Sequence, residues 1–296
     1  STDLSAALSG TLASSPITIS AGTTGYFRLA YWGSTSNSKG AIWYGNSATG
    51  NDFSLTGTGT ALNVIHDLTW SGGNGDWAVA IGGWADGASA ANWSDNDNAT
   101  INTSGSTLNI GAGTIAGNIV VGNSSGDVVL SGNSLTAASL TKTGSGNLIL
   151  STANSFGAVS SSGGVLIAGA SGALGSNMLA LDSATLGVSD TTATVVLNNS
   201  GTAIGANNAI FNIGTGAAAS LSGAITATGT TAGVGVAKGD ARTFNTLTKT
   251  GDGKLIFAAN VGSQMTYTTG TGAGVTTAGG IELQIAGGTV DLLGVK

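Results

Sequence analysis

Short runs of alternating apolar residues recur about every 20 residues in the middle of this chain. The runs Leu108–Ile110, Val128–Leu130 and Leu148–Leu150 follow one another at this spacing, and Val165–Ile167 continues the series. Alternate side chains of a strand point to opposite faces, so each run offers one apolar face. A period near 20 residues, made of short strands that end at Gly, Asn, Ser or Asp, is typical of a solenoid in which successive coils stack.

Helix signals are nearly absent. Glu282 is the only glutamate, and no stretch keeps the i, i+3, i+4, i+7 apolar spacing of an amphipathic helix. Between the recurring runs lie Ile119 with Val121 and Leu135 with Leu140, which indicate a second and a third apolar side. We therefore predict an all-β chain folded as a parallel β-solenoid, with a β-sandwich or a barrel as the alternative.

The composition excludes several functional classes. Only 7% of the 296 residues are charged and the net charge is −6, so the chain lacks the basic surface of a nucleic-acid-binding protein. Its hydrophobic content of 41% is unlike that of a disordered chain. No apolar stretch is long enough for a membrane span. Without cysteine, disulfides and thiolate chemistry are excluded.

One ten-residue motif occurs twice. LTKTGSGNLI at 140–149 and LTKTGDGKLI at 247–256 are identical at eight positions, and the glycines of each copy predict a sharp turn before the next strand. Lys142 and Lys249 occupy the same place in the two copies. We predict that both lysines face solvent and keep a sticky strand from pairing with other chains. A catalytic lysine is the alternative.

Segment 140–176 resembles the autotransporter-associated β-strand repeat. The resemblance rests on the first copy of the motif together with ANSF at 153–156, GVLI at 164–167 and ALG at 173–175, and Trp84 to Asn102 is similar to the entry segment that often precedes such repeats. The copy from Leu247 matches in part. The family occurs in passenger regions of secreted and cell-surface bacterial proteins. The resemblance therefore implies a right-handed parallel β-helix outside the cell.

Aromatic residues divide the chain into two zones. All six tryptophans lie between residues 32 and 93, and the rest of the chain has none. We predict an aromatic-rich N-terminal β region at 1–95 and a β-solenoid at 96–296. The aromatic side chains, including Tyr31, Trp32, Trp43 and Tyr44, suit a cap or core, an assembly interface, or a face that stacks on glycans.

The C-terminal region shows no evident cover. Ile281, Leu283 and Ile285 alternate in a strand pattern, and Thr289 to Leu293 is typical of a further coil strand. An uncovered coil exposes unpaired backbone donors and acceptors. We predict that the N-terminal part of another copy covers this end, in a head-to-tail contact that forms a filament.

Catalytic and cofactor-binding constellations are not found. The lone His66 and its neighbour Asp67 point to opposite faces of a strand, the acidic residues are scattered, and no nucleotide-binding loop has a strand-to-helix context. Asp95 and Asp97, with Asp86 from the preceding loop, form an oxygen-rich calcium candidate. We predict no enzyme activity and no cofactor besides this calcium.

The start of the chain at Ser1, without Met or a basic leader, predicts a secreted protein from which a signal peptide has been removed. The predicted function is that of an extracellular structural protein, a subunit of a filament or surface coat whose partner is itself. The alternative is a cell-surface adhesin whose tryptophan-rich region binds glycans or another cell.

Overall fold

A computed structural model describes residues 65–77, 83–228, 244–258 and 280–293 of the chain. The chain divides into Ser1–Val64 and Ile65–Lys296, and every described residue belongs to the second unit. The described residues form strands and turns with no helix, which confirms the all-β prediction. Tyr31, Trp32, Trp43 and Tyr44 lie outside the described residues.

The strands lie in three sheets. The first sheet holds β1 (Asp67–Trp70), β3 (Trp84–Asp86), β4 (Ser89–Ala91), β5 (Asn98–Ile101), β7 (Ile115–Val121), β9 (Thr136–Lys142), β11 (Ser155–Phe156), β12 (Val159–Ser161), β14 (Leu179–Leu181), β17 (Gly201–Ile204) and β20 (Ala224–Ala227). The second sheet holds β2 (Gly75–Asp76), β6 (Ser106–Ile110), β8 (Asp127–Gly132), β10 (Asn147–Leu150), β13 (Val165–Ala168), β15 (Ala184–Val188), β18 (Ala209–Ile213), β21 (Phe244–Thr250) and β23 (Gly280–Ile285). The third sheet holds β16 (Thr194–Leu197), β19 (Ala218–Leu221), β22 (Lys254–Phe257) and β24 (Thr289–Leu292).

From β5 to β15 the chain moves back and forth between the first and second sheets, and from β16 onward it also adds strands to the third sheet. From β5 onward all described neighbours within a sheet are parallel. We call the strands of one passage through the sheets a rung. Asn147 lies beside Asp127, 20 residues earlier, whereas Asn207 contacts Asp182 across 25 residues. The turns therefore vary in length while the strands stay in register.

Alternate side chains of each strand enter one continuous core. In the second sheet the register aligns Val128, Leu148, Leu166, Leu186 and Phe211 on successive rungs, and all five are fully buried. The residues between them point outward. Because parallel strands stack like on like, an apolar residue at one inward position extends an apolar column through the fold.

The first rung differs from the rest. Strand β1 pairs in parallel with β5 but antiparallel with β3, and β3 pairs antiparallel with β4. The first two sheets therefore begin with strands of three and two residues, β4 and β2. Short edge strands offer little backbone to an incoming chain.

Glycines at the turns let the backbone of successive rungs approach closely. Gly164 has a φ of +62°, and a Cβ atom placed there would lie 2.3 Å from the carbonyl oxygen of Gly146 on the preceding rung. A side chain at this position would meet both backbone strain and a fixed neighbour. Gly73 provides a contrast, because a Cβ atom there would meet no atom within 4 Å.

We predict that Gly164→Ala destabilises the fold by about 3 kcal/mol or more, because the clash with backbone adds to the cost of a positive φ. Gly73→Ala is the matched control and should change the stability by less than about 1 kcal/mol. Denaturant unfolding followed by circular dichroism measures both. Equal stability of the two variants would contradict the close approach of the rungs.

Candidate functional site

Lys249 is buried in a corner between the second and third sheets. Its side chain is 0% exposed and follows Phe211 in the inward column. Its Nζ donates hydrogen bonds to the carbonyl oxygens of Thr250 at 2.7 Å, Gly251 at 2.8 Å and Gly287 at 3.1 Å. Burial lowers the pKa of this lysine, and the charge of Asp252 opposes that change in part.

Lys142 is buried in the same way between the first and second sheets. Its side chain is 0% exposed, and its Nζ donates to the carbonyl oxygens of Gly144 and, at 3.4 Å, of Gly163. Burial lowers its pKa. The prediction that Lys142 and Lys249 face solvent is therefore wrong. Both lysines point inward because each ammonium group satisfies carbonyl oxygens that the turn removes from the strand ladder.

The two motif copies build equivalent corners at different places in the fold. In the first copy the chain passes from β9 in the first sheet to β10 in the second; in the second copy it passes from β21 in the second sheet to β22 in the third. In each copy Nζ reaches the glycine two residues on and a glycine of the next rung. The motif thus specifies a corner and not a particular sheet.

A glycine doublet on the next rung completes each corner. Gly164 and Gly288 have φ angles of +62° and +67°, and a Cβ atom at either one would meet the same two motif glycines of the rung below, at 2.3 and 2.6 Å. The doublets GG at 163–164 and 287–288 were the sequence signal for this arrangement. Read together with the ten-residue motif, they mark a unit that spans two rungs.

Buried asparagines and one serine also donate to backbone carbonyl oxygens at turns. Asn123 donates through Nδ2 to the carbonyl oxygens of Ser125, Gly126 and Asn147 at 3.0–3.3 Å. Asn199 and Asn245 each donate to two backbone carbonyl oxygens. Ser161, which lies beside Lys142 in the register, donates to Gly163. These polar side chains stabilise the turns.

Asp97 and Asp95, two of the three calcium candidates, accept hydrogen bonds from different backbone N–H groups. Asp97 is buried, and its carboxylate accepts from the backbone N–H groups of His66 at 2.8 Å and Ser94 at 2.9 Å and lies 3.2 Å from Nδ1 of His66. Asp95 accepts from the N–H of Ile115 at 3.2 Å. Asp86 is exposed on β3. Asp97 therefore fastens the start of β1 to the loop before β5, and the calcium site stays a prediction.

Within the described ranges no group of three or more His, Cys, Asp or Glu side chains could hold a metal ion. Several exposed carboxylates instead contact an asparagine of the next rung: Asp67 with Asn98, Asp76 with Asn109 and Asp127 with Asn147, at 2.7–2.8 Å. This stacking of acid on amide separates like charges, which would repel if acid stacked on acid.

Four tryptophans form one cluster in the first rung. The rings of Trp70, Trp77, Trp84 and Trp93 lie 5.0–5.1 Å apart, three of the four pairs in an edge-to-face arrangement. Trp70, Trp77 and Trp84 are 0–3% exposed, and the Nε1 atom of Trp84 donates to the carbonyl oxygen of Trp77 at 2.6 Å. The faces of these three rings are covered by their own chain, so they offer no platform to a glycan.

The last described rung, in contrast, leaves apolar side chains partly exposed. Ile281, Leu283 and Ile285 of β23 continue the inward columns above Asn245, Leu247 and Lys249, which are fully or nearly fully buried. Ile281 and Leu283 are half-buried against the core, whereas Ile285 is 57% exposed. The structure thus brings these three of the seven predicted interface residues together on one strand, which is the edge of the second sheet among the described strands.

Strand β24 extends this apolar edge to the third sheet. Leu292 lies beside the buried Phe257 in the register but is 52% exposed, and the following Leu293 is 49% exposed. Neither leucine was among the predicted interface residues. The alternation of Val290 and Leu292 could have identified Leu292 as an inward-facing strand residue, whereas Leu293, its direct neighbour, does not share that spacing.

These features define a parallel β structure whose first described rung contains buried tryptophans and whose last described rung exposes apolar side chains. Comparison of the chain with protein-family models, with curated proteins and with solved structures found no significant match. No helix among the residues described is long and apolar enough to cross a membrane.

We predict that Lys142 and Lys249 resist acetylation by a water-soluble succinimidyl ester, because their amines are buried and hydrogen-bonded. Lys254, which is 48% exposed on β22, should react at least about tenfold faster. Peptide mass spectrometry of the labelled protein measures the three rates, and labelling in guanidinium supplies the unfolded control. Rapid modification of Lys142 in the folded protein would contradict the assignment of the corners.

The stability should depend on these two lysines at alkaline pH. Their folded-state pKa values lie below the ordinary 10.5, so between the two values the folded state binds fewer protons than the unfolded state. The free energy of unfolding therefore rises with pH in that window and levels off above 10.5. The free energies of unfolding of the wild type and of the double variant Lys142→Met/Lys249→Met should differ, and this difference should change with pH in that window. A constant difference would show that burial does not perturb the amines.

Proposed function

We propose that this protein is a non-enzymatic structural protein of the cell exterior that assembles head to tail through its last rung into a filament or surface coat. The described sheets form a right-handed parallel β-helix in this proposal, and the tryptophan cluster with β3 and β4 caps its first end. The observation that carries the proposal is the set of core columns that end in exposed apolar side chains at β23 and β24.

The apolar side chains of the last rung supply the driving force. Residues at the same inward positions one rung earlier, Leu247, Lys249 and Phe257, are fully buried, whereas Ile285 and Leu292 are more than half exposed. Burying a leucine or isoleucine completely is worth about 1.5–3 kcal/mol, so covering the exposed halves of Ile285, Leu292 and Leu293 contributes about 3 kcal/mol. That gain is smaller than the entropic cost of association, so the proposed contact also needs the polar and backbone contacts of the junction and is expected at high concentration.

The backbone supports the head-to-tail direction. Strands β23 and β24 are six and four residues long, are parallel to their inner neighbours β21 and β22, and are the edges of the second and third sheets within the described chain. A strand that continues this parallel ladder runs in the same direction, as it does in a head-to-tail contact. Because β2 and β4 are short, the apolar side chains of β23 and β24, more than backbone pairing, hold the two copies together in this proposal. The resemblance to passenger repeats agrees with an extracellular location.

We predict that the full chain self-associates in a concentration-dependent manner and that Leu292→Lys weakens the association at least about tenfold, because a buried, unpaired charge costs more than the apolar contact gains. Sedimentation velocity over a range of concentrations measures the association, and electron microscopy shows whether the assemblies are filaments.

The matched control is Ile210→Lys. Ile210 is 39% exposed on the outward side of β18, two strands from β23 in the same sheet. A lysine there adds the same charge away from the end, and the association should change by less than about twofold. A wild-type chain that stays monomeric at millimolar concentration, or equal effects of the two variants, would refute the proposal.

A further inference from the structure

The burial of two lysines leaves the described surface almost purely anionic. Lys142 and Lys249 are fully buried, and Lys254 forms an ion pair with Asp291 at 3.2 Å. Except for buried Asp97, the carboxylates of the described ranges are exposed or half-buried: Asp67, Asp76, Asp86, Asp95, Asp127, Asp182, Asp190, Asp252, Glu282 and Asp291. The surface of the described ranges is thus more acidic than their composition suggests.

Both ends of the described sheets share this sign. The first rung carries Asp67 on β1, Asp76 on β2 and Asp86 on β3, all exposed. The last rung carries the exposed Glu282 on β23, while Asp291 on β24 is paired with Lys254. Within the rungs, acids stack on asparagines and not on acids, as Asp127 does on Asn147. A head-to-tail contact brings together two ends that lack this separation.

We infer that ionic strength controls the assembly. The apolar last rung drives association and like charges on the two ends oppose it. Dissolved salt screens that repulsion and so strengthens the association. This inference rests on the proposed head-to-tail function. The expected salt dependence is opposite to that of oppositely charged partners, whose binding weakens as salt is added. The screening length falls from about 30 Å at 0.01 M salt to about 8 Å at 0.15 M, which is the range in which end-to-end repulsion disappears.

The experiment measures the association constant of the full chain by sedimentation velocity at pH 7.5 in 0.01 M and 0.15 M NaCl. The wild type should associate about threefold more strongly or better at the higher salt concentration, since one pair of like charges at about 10 Å in water changes the constant about twofold. Salting-out of apolar groups is minor in this range, so the slope reports charge.

Two variants of the same exposed strand test the cause with opposite signs. Glu282→Gln removes a charge from β23 and should strengthen association about twofold at 0.01 M while reducing the salt dependence. Gln284→Glu adds a charge two residues away and should weaken association at 0.01 M and steepen the salt dependence. Glu282→Asp keeps the charge and should behave as the wild type does.

The outcomes separate this inference from the proposed function. Association that Leu292→Lys abolishes, but that is flat or falls with salt, or that neither Glu282→Gln nor Gln284→Glu alters, would overturn the electrostatic control and leave the head-to-tail contact standing. A chain that remains monomeric in both salt concentrations overturns both.

Discussion

The structure depends on how each turn satisfies its backbone carbonyl groups. Within the sheets the parallel ladder pairs every inner strand, but at a corner the chain changes direction and its carbonyl oxygens lose their partners. Inward-facing donors replace them: an ammonium group at Lys142 and Lys249, and amide groups at Asn123, Asn199 and Asn245. An unpaired buried carbonyl costs about 1–3 kcal/mol, so a stack of corners without such donors would not be stable.

The sequence predicted the strands better than the corners. Period-2 alternation and a repeat near 20 residues identified the all-β class and the buried columns, because burial of one face dictates that pattern. The orientation of Lys142 could not be derived in the same way. A lysine next to a glycine turn has the same local sequence whether its stem points out to water or inward to carbonyl oxygens, and only the stacking of the next rung, with its glycine doublet, decides between them.

The same limit applies to the candidate site. Ile281, Leu283 and Ile285 were identified from their alternation, and the structure brings them onto one edge strand. Leu292 was missed as an interface residue although it alternates with Val290, because alternation shows which face a side chain lies on but not whether another rung covers that face. For the tryptophans the sequence left open whether they form a core or a binding surface. The structure shows that Trp70, Trp77 and Trp84 are core residues.

The duplicated ten-residue motif has a consequence for counting repeats in such chains. Aligning the two copies superimposes β9 of the first sheet on β21 of the second, so identical residues of the motif lie in different sheets. A segment that contains both the lysine and the glycines of a corner can occur in different sheets and keep its internal hydrogen bonds. Duplications of this kind need not preserve the order in which the chain enters the sheets, and a further sheet can be added, as happens among the described residues from β16 onward.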